Sequence, residues 1–302
     1  MEISGSVDHS LIDALIGNSS IGSVVSLERV KQIRSRSSVA DGNSIYEIGD
    51  LFIVLVAPHA FPDVAADEAR IIKQTKGHLP GSLSHVMLDV VTEGHLSDGR
   101  SFVVLPRGTP LKTDRLHALI ERRSVNPIIF DWLRGLASLA RPPSAETRRQ
   151  HEASLRTLSN FKGLPERIRS NAEACRSRIE KDFFAPRAVP MHGDLWRGNL
   201  IRGPDGSVKV IDWRGFRMAG YGIFDLVKFA STSGTHSSTF RSEVARHSEL
   251  LGIEMIDAWG TLLAACGHVA HNIDQMPRDR FISMTTNLYN YYIKTMGLER
   301  WV

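Results

Sequence analysis

The sequence predicts an α+β fold with two lobes, a small antiparallel sheet carrying one helix and then a larger, mainly helical part. Two observations predict this class. Up to about residue 105, short β-branched and apolar runs alternate with turn sequences such as ADGN and LSDGR. Beyond residue 106, most apolar residues recur with a helical period. We therefore expect an N-terminal lobe over 1–105 and a C-terminal lobe over 106–302.

The composition is that of an ordinary folded protein and excludes several classes. Of the 302 residues, 42% are hydrophobic and 23% charged, which is enough to bury a full core. The N-terminus is acidic where a secretory signal would be basic, and the longest apolar run, 51–58, is too short to cross a bilayer, so we expect a cytoplasmic protein without membrane partners. Two cysteines cannot form a disulfide framework, and a net charge of +4 without a basic block does not favour nucleic acid.

The N-terminal elements follow from short apolar runs. We expect strands at 23–27, 44–48, 51–58, 85–91 and 101–105. One helix is expected over 63–77, with Asp63 as its cap, Gly77 at its end, and an apolar stripe of Ala66, Ala69 and Ile72.

The C-terminal half is expected to be helical within 114–123, 128–140, 156–183 and about 239–296. The segment 188–213 is an exception. There NLIR and VKVIDW flank the sequence GPDG, which predicts a β-hairpin.

Polar side chains surround this predicted hairpin. Asp194 and Asn199 precede its first strand and Asp212 ends its second, so folding the hairpin brings Asp212 back beside Asn199. A few oxygen ligands suit Mg²⁺, which usually binds one or two protein carboxylates together with substrate phosphates. A further carboxylate could accept the proton of an attacking hydroxyl, so the pattern predicts phosphoryl transfer. Gly193 and Gly198 would permit a tight backbone here.

The segments HGDLWRGNLI, VKVIDW and GYGIFDLVKFA, within residues 190–230, resemble the aminoglycoside phosphotransferase and choline kinase-like family. That family shares the two-lobed architecture of the protein kinases. The resemblance implies that Asp194 is the catalytic base and that Asn199 and Asp212 hold Mg²⁺. It also implies that Asp225 braces the loop, where His192 would act through hydrogen bonds. The implied cofactor is ATP, with GTP as an alternative.

The nucleotide site departs from the family pattern. Family members pair a lysine of the third strand with a glutamate of the next helix; Glu68 is present, but the strand has no lysine. The alignment places Val56 at the lysine position, and a shift of register would place Leu55 or Val54 there. We expect Arg34 or Arg36, in preference to Lys31, to supply the missing charge.

Three further residues are assigned to the nucleotide. The segment 103–111 would be the hinge that binds adenine through its backbone, with Leu105 and Arg107 beside it and Pro106 lacking a donor. Arg197 is a candidate contact of the terminal phosphate, and a solvent-facing arginine is the alternative. A serine-rich loop at 34–43 would offer its N–H groups to the phosphates.

The late helices offer candidates for the pocket of a small-molecule acceptor. Their side chains are Trp259, His268, His271 and Asp274. Packing and surface positions explain the same helical spacing.

Two hypotheses therefore remain. The first is an ATP-dependent kinase that phosphorylates a hydroxyl of a sugar, an amino alcohol or an aminoglycoside-like metabolite. The second is a catalytically impaired kinase-like protein that binds a ligand or partner without turnover. The presence of Asp194, Asn199 and Asp212 favours the first hypothesis, and the absent strand lysine favours the second.

Overall fold

A computed structural model describes residues 9–17, 21–22, 30–34, 42–112, 115–271 and 277–298. The chain divides into two compact units. The first unit comprises 1–111 and 198–214, and the second comprises 112–197 and 215–302. This grouping differs from a single division near residue 106, because it places 198–214 with the N-terminal sheet.

The elements within the described residues are as follows. In chain order the strands are β1 (Val30–Arg34), β2 (Ser44–Ile48), β3 (Phe52–Val56), β4 (Thr92–His95), β5 (Ser101–Pro106), β6 (Thr109–Pro110), β7 (Ala188–Met191), β8 (Leu200–Arg202), β9 (Val208–Val210) and β10 (Arg217–Tyr221). The α-helices are α1 (His9–Ile16), α2 (Val64–His78), α3 (Gly81–Ser84), α4 (Arg115–Ser138), α5 (Ala145–Ser159), α6 (Glu166–Glu180), α7 (Phe224–Thr232), α8 (Ser237–Leu251), α9 (Met255–His271) and α10 (Arg278–Met296).

The main sheet of the first unit has five antiparallel strands in the order β1-β2-β3-β5-β4. The strands predicted at 44–48, 51–58 and 101–105 are confirmed, and the one predicted at 23–27 lies outside the described residues. The strand predicted at 85–91 is wrong, because Met87 forms only an isolated bridge with Val210 and β4 begins at Thr92.

Helix α2 starts and ends within one residue of its predicted bounds, but neither the predicted side-chain cap nor the predicted terminal glycine determines its ends. Asp63 occupies the N-cap position without a side-chain cap bond, and Gly77 lies inside the helix. The helix ends because Leu79, which precedes Pro80, is extended with φ −86° and ψ 143°, the conformation that a following proline favours. Its buried residues are Ala65, Glu68, Ala69, Ile72 and Thr75.

The two faces of the main sheet pack against different helices. Val54 and Val56 belong to one hydrophobic cluster with Leu11 and Leu15 of α1. On the other face, Ser101 Oγ donates to Pro62 O at 2.7 Å and accepts from Ala66 N at 3.1 Å, which holds the start of α2 there.

The side chains of β3 can be assigned to these faces by alternation. Val103 lies on the face of Ser101 because it is two residues further along β5. Leu55 pairs with Val103, so Leu55 lies on the α2 face and Val56 on the α1 face.

A small sheet in the order β6-β8-β9 contains the predicted hairpin. Leu200 pairs with Val210, and Ile211 N donates to Asn199 O at 3.0 Å. Val210 N also donates to Val86 O at 2.7 Å, which joins the hairpin to the segment that precedes β4 in the same unit.

The second unit contains α4 to α10 and the antiparallel pair β7 and β10. The two helical pieces predicted at 114–123 and 128–140 are one helix, α4, which continues through Pro127. The piece predicted at 156–183 is divided between α5 and α6. In the described part of the chain no single helix is long and apolar enough to span a membrane, and α8 and α9, bent by 89° at their break, pass that test only as a pair.

Candidate active site

In the first unit, the hairpin places Asn199 and Asp212 at the same end. Asn199 is buried and lies directly before β8. Asp212 follows β9 and has a φ of 64°, a left-handed conformation that aspartate tolerates better than most residues and that often marks a functional position. Arg214 Nε lies 3.5 Å from Asp212 Oδ1.

Glu68 of α2 is a buried acid in this unit, only 6% exposed. Asn43 Nδ2 donates to Glu68 Oε2 at 3.4 Å. Burial, and after it the charge of Asp212, raise the pKa of Glu68 to about 7, while Arg214 acts in the opposite direction. Glu68, Asp212 and Arg214 therefore form an electrostatically coupled group.

The structure adds a source of positive charge near Glu68, while the expected role of Arg34 or Arg36 stays a prediction. The side chain of Arg34 and all of Arg36 lie outside the described residues, and Lys31 is exposed on β1 opposite Glu47. Within the part of the chain that the structure describes, the positive group that acts on Glu68 is Arg214, which sequence reasoning missed. Its position two residues after Asp212, in IDWRG, was the available signal.

The donor atoms at the hairpin end fit Mg²⁺. Among the described residues no cluster of three or more His, Cys, Asp or Glu side chains could hold a metal ion, so a site built wholly from such side chains is not found there. One amide and one carboxylate, Asn199 and Asp212, match the small protein contribution that Mg²⁺ needs when substrate phosphates supply further ligands.

In the second unit, Asp225 holds the backbone of the loop that follows β7. Its Oδ2 accepts from His192 N at 2.6 Å and its Oδ1 accepts from Gly193 N at 3.0 Å. Burial raises the pKa of Asp225, while His192 and the two N–H donors act in the opposite direction. His192 is fully buried and its Nδ1 accepts from Asp194 N at 3.2 Å.

Gly193 is required by the backbone of this loop. Its φ is +83°, and a Cβ at this position would lie 2.6 Å from Gly215 O, closer than real Cβ contacts come. Gly198 is different, because it lies in a one-turn 3-10 helix over Arg197–Asn199 and has no positive φ. A backbone conformation that favours glycine therefore occurs at Gly193 and not at Gly198.

Asp194 projects from the loop, and its side chain is 42% exposed. Lys228 Nζ of α7 donates to Asp194 Oδ1. This lysine also lies over the Phe224 ring, 5.6 Å from its centroid. Sequence reasoning missed Lys228, because the two residues lie 34 positions apart and no motif spacing joins them.

Arg197 makes structural contacts, and its assignment to the nucleotide phosphate stays a prediction. Its Nη2 donates to Lys112 O at 2.8 Å and lies 3.6 Å from Glu121 Oε2. Its backbone N–H donates to Thr232 Oγ1 at 3.2 Å. The side chain is 14% exposed, so it does not simply face solvent as the alternative interpretation expected.

The predicted hinge is also engaged inside the first unit. Leu105 is buried and pairs with Ile53 of β3. Arg107 N donates to Leu51 O at 2.8 Å, and its guanidinium lies 2.9 Å from Glu47 Oε1 and also pairs with Asp50. A nucleotide contact through the N–H or the guanidinium of Arg107 would require these bonds to break, and the backbone hinge at Leu105 and Arg107 stays a prediction.

Of the candidate acceptor residues on α9, Trp259 is buried, His268 is half-buried and His271 is exposed. Trp259 is buried, with its ring centroid 5.9 Å from that of Tyr289, so it is a core residue. The His268 ring lies 5.5 Å from the Tyr221 ring, and His271 Nε2 is 2.8 Å from Thr157 Oγ1. These contacts favour packing over pocket lining, and Asp274 lies outside the described residues.

The chain belongs to the phosphotransferase enzyme family, whose sequence model matches residues 42–262. This confirms the suspected family and the predicted enzyme class, a phosphotransferase that acts on hydroxyl groups. The protein is accordingly a small-molecule phosphotransferase. A comparison with curated proteins finds no match.

Solved structures resemble the chain over nearly its whole length. An aminoglycoside 2′-phosphotransferase in complex with GDP has 14% identity and a TM-score of 0.57, covering 88% of this chain and 92% of that chain. A macrolide 2′-phosphotransferase of type I has 14% identity and a TM-score of 0.56, covering 95% and 99%. A choline/ethanolamine kinase family protein from Mesorhizobium loti has 14% identity and a TM-score of 0.52, covering 95% and 94%. At these identities the likeness concerns the fold, which is the protein-kinase-like α+β fold that the sequence predicts.

Proposed function

We propose that this protein transfers the γ-phosphate of ATP or GTP, in the presence of Mg²⁺, to a hydroxyl of a small molecule. The observation that carries the proposal is the setting of Asp194. Its backbone loop is held by the buried Asp225, while its own carboxylate is 42% exposed and can meet a substrate. A positioned, accessible carboxylate is what a general base requires.

In this proposal Asp194 accepts the proton of the acceptor hydroxyl as its oxygen attacks the γ-phosphorus. His192 and Asp225 do not react. They fix the backbone on either side of Gly193, so that the base keeps its position during the transfer.

Asn199 and Asp212 would hold the Mg²⁺ ion. When bound, the ion neutralises charge on the nucleotide phosphates and on the transferred group. Asn199 contributes a neutral oxygen and Asp212 a charged one, and both are set at one end of the hairpin by its pairing and by the bond from Ile211 N to Asn199 O.

Arg214 would supply the positive charge that β3 lacks. Phosphate-binding sites commonly use arginine, which can donate two parallel hydrogen bonds. Arg214 lies 3.5 Å from Asp212 and acts electrostatically on Glu68, the acid expected to face a strand lysine.

The acceptor would be a sugar, an amino alcohol or an aminoglycoside-like metabolite, met in the cytoplasm. Support for this range comes from the family and from the structural neighbours, which include an aminoglycoside phosphotransferase, a macrolide phosphotransferase and a choline/ethanolamine kinase family protein.

A second candidate is a kinase-like protein that binds a ligand or partner without turnover. One observation favours it: the residues of β3 on the α2 face are Ile53 and Leu55, so the strand presents no ammonium toward the helix that carries Glu68.

The two candidates are distinguished by nucleotide binding and phosphate transfer. The experiment titrates the protein with Mg·ATP and Mg·GTP in a calorimeter, and then follows γ-labelled phosphate onto a panel of aminoglycosides, macrolides, choline, ethanolamine and sugars. Binding with transfer supports the enzyme. Binding without transfer to any acceptor or to water supports the second candidate, and absence of nucleotide binding contradicts the first.

A further inference from the structure

One face of α7 contacts the loop that carries the proposed base, from His192 to Arg197. Asp225, Lys228 and Thr232 are spaced by three and four residues, so they lie on the same side of the helix. Asp225 accepts from His192 N and Gly193 N, and Thr232 Oγ1 accepts from Arg197 N. Lys228 contacts Asp194, between these two anchors.

Lys228 differs from the other two residues in what it contacts. Asp225 and Thr232 bind backbone N–H groups, whereas Lys228 Nζ donates to the carboxylate of Asp194. The lysine side chain is 13% exposed and lies over the Phe224 ring, which is fully buried in the second unit. The ammonium is therefore held by the aromatic face as well as by the carboxylate.

The alternative is a salt bridge that only adds stability. Ion pairs with a well-solvated partner contribute little to stability, and Asp194 is such a partner because it is 42% exposed. A carboxylate on a surface loop can rotate, however, and a general base must present its oxygen to the acceptor in one orientation. Lys228 can supply this fixed orientation, because it binds one oxygen of the carboxylate from helix α7.

We propose that Lys228 is the positioning residue of the base, holding Asp194 Oδ1 so that the carboxylate keeps the orientation needed for proton transfer. The inference rests on the proposed function. In that step the hydroxyl O–H bond breaks and its proton goes to Asp194, while the acceptor oxygen bonds to the γ-phosphorus. The bond from the γ-phosphorus to the bridging oxygen breaks and the nucleoside diphosphate leaves. Lys228 keeps its protons throughout.

The kinetic test follows hydrolysis of γ-labelled Mg·ATP and Mg·GTP, with water as acceptor. Lys228→Met keeps the aliphatic stem and removes the charge, and it should lower kcat by roughly 10- to 100-fold, the scale of a small misplacement of a reacting group. The KM for nucleotide should not change, and Lys228→Arg should recover part of the rate. Lys294→Met, the same change at an exposed position of α10, should have no effect.

A double variant separates positioning from folding. In an Asp194→Asn background, Lys228→Met should cause no further loss of kcat, because the lysine acts through the carboxylate that is already absent. An undiminished loss in that background, or a wild-type rate for Lys228→Met, overturns the inference.

A second measurement does not depend on activity. Acetic anhydride labelling, read by mass spectrometry, should modify Lys228 slowly in the wild type and several-fold faster in Asp194→Ala, with Lys294 unchanged. Equal reactivity of Lys228 in both proteins would mean that Lys228 does not hold Asp194, and it overturns the inference. If the wild type turns over no nucleotide, the proposed function fails, while the labelling still decides whether Lys228 holds Asp194.

Discussion

Glu68 and Asp212 are two acids in the first unit whose negative charges repel each other. Burial and Asp212 together place the pKa of Glu68 near 7, so at neutral pH this carboxyl exchanges between charged and neutral forms. A nucleotide adds further negative charge to the same surroundings in the proposed function. The guanidinium of Arg214, which acts on both acids, then becomes the main positive contribution from the described part of the unit.

We expect Arg214→Gln to weaken binding of Mg·ATP and Mg·GTP by roughly 10- to 100-fold, since hydrogen bonds to charged groups contribute about 1.5–3 kcal/mol. Arg107→Gln is the matched control, because that guanidinium is already bound to Glu47 and Gly49 O. It should leave the nucleotide affinity unchanged. Calorimetric titration measures both variants, and the reverse pattern would restore Arg107 as the nucleotide contact.

Asp212→Asn should weaken nucleotide binding more strongly with Mg²⁺ than without it, because the change removes a charged metal ligand. It should also lower the pKa of Glu68, because the negative charge of Asp212, which disfavours ionisation of Glu68, is removed. Affinities measured with Mg²⁺ and with a chelator give the comparison. An equal loss under both conditions in a folded variant counts against metal binding by Asp212.

At the scale of elements, β3 shows why alternation decides the lysine position. A strand places successive side chains on opposite faces, so a shift of one residue moves a side chain from the α1 face to the α2 face. The sequence alignment selects Val56, whereas the pairing of Leu55 with Val103 and the contacts of Ser101 with the start of α2 select Leu55.

Val56→Lys should therefore destabilise the protein by several kcal/mol, because Val56 is 0% exposed and packs in the apolar cluster against α1, where an ammonium loses its hydration. Leu55→Lys, at a half-buried position on the α2 face, should cost clearly less. Urea unfolding of the two variants measures the difference. Equal destabilisation would mean that the assignment of faces is wrong.

The predictable parts of the fold and site are those with local signals. The hairpin of β8 and β9 followed from its turn sequence, and Asp194, Asn199 and Asp212 were selected by their spacing around it. The strand β4, with sequence TEGH, carries no apolar alternation. The apolar run 85–91 resembles a strand, although its buried residues Val86, Met87 and Leu88 belong to none. Lys228 could not be assigned, because its contact with Asp194 depends on tertiary packing, whereas Arg214 has a local signal in its position two residues after Asp212.

At the scale of the whole molecule, acid stability should depend on imidazoles buried in the second unit. Burial lowers the pKa of His151 to about 4 and also lowers the pKa of His247. The unfolded chain binds a proton at these positions near pH 6.5, whereas the folded chain does not, so stability is lost as pH falls below that value.

The free energy of unfolding should fall as the pH decreases from about 6.5 to about 4, with His151 alone contributing about 3 kcal/mol at 1.36 kcal/mol per pKa unit. Urea unfolding across this range measures the loss. His151→Phe, which removes one buried imidazole, should show a shallower pH dependence than the wild type. A pH dependence identical in the two proteins would exclude this contribution.

The central claim is that Asp194 is the base of a nucleotide-dependent phosphotransferase. Its most direct test compares wild type and Asp194→Asn for nucleotide affinity and for transfer of γ-labelled phosphate to the best acceptor of the panel, or to water. We expect equal affinity for Mg·ATP or Mg·GTP and a rate of transfer lower by roughly two to four orders of magnitude, the scale of general-base catalysis. Transfer by Asp194→Asn at the wild-type rate, with nucleotide affinity unchanged, would contradict the account.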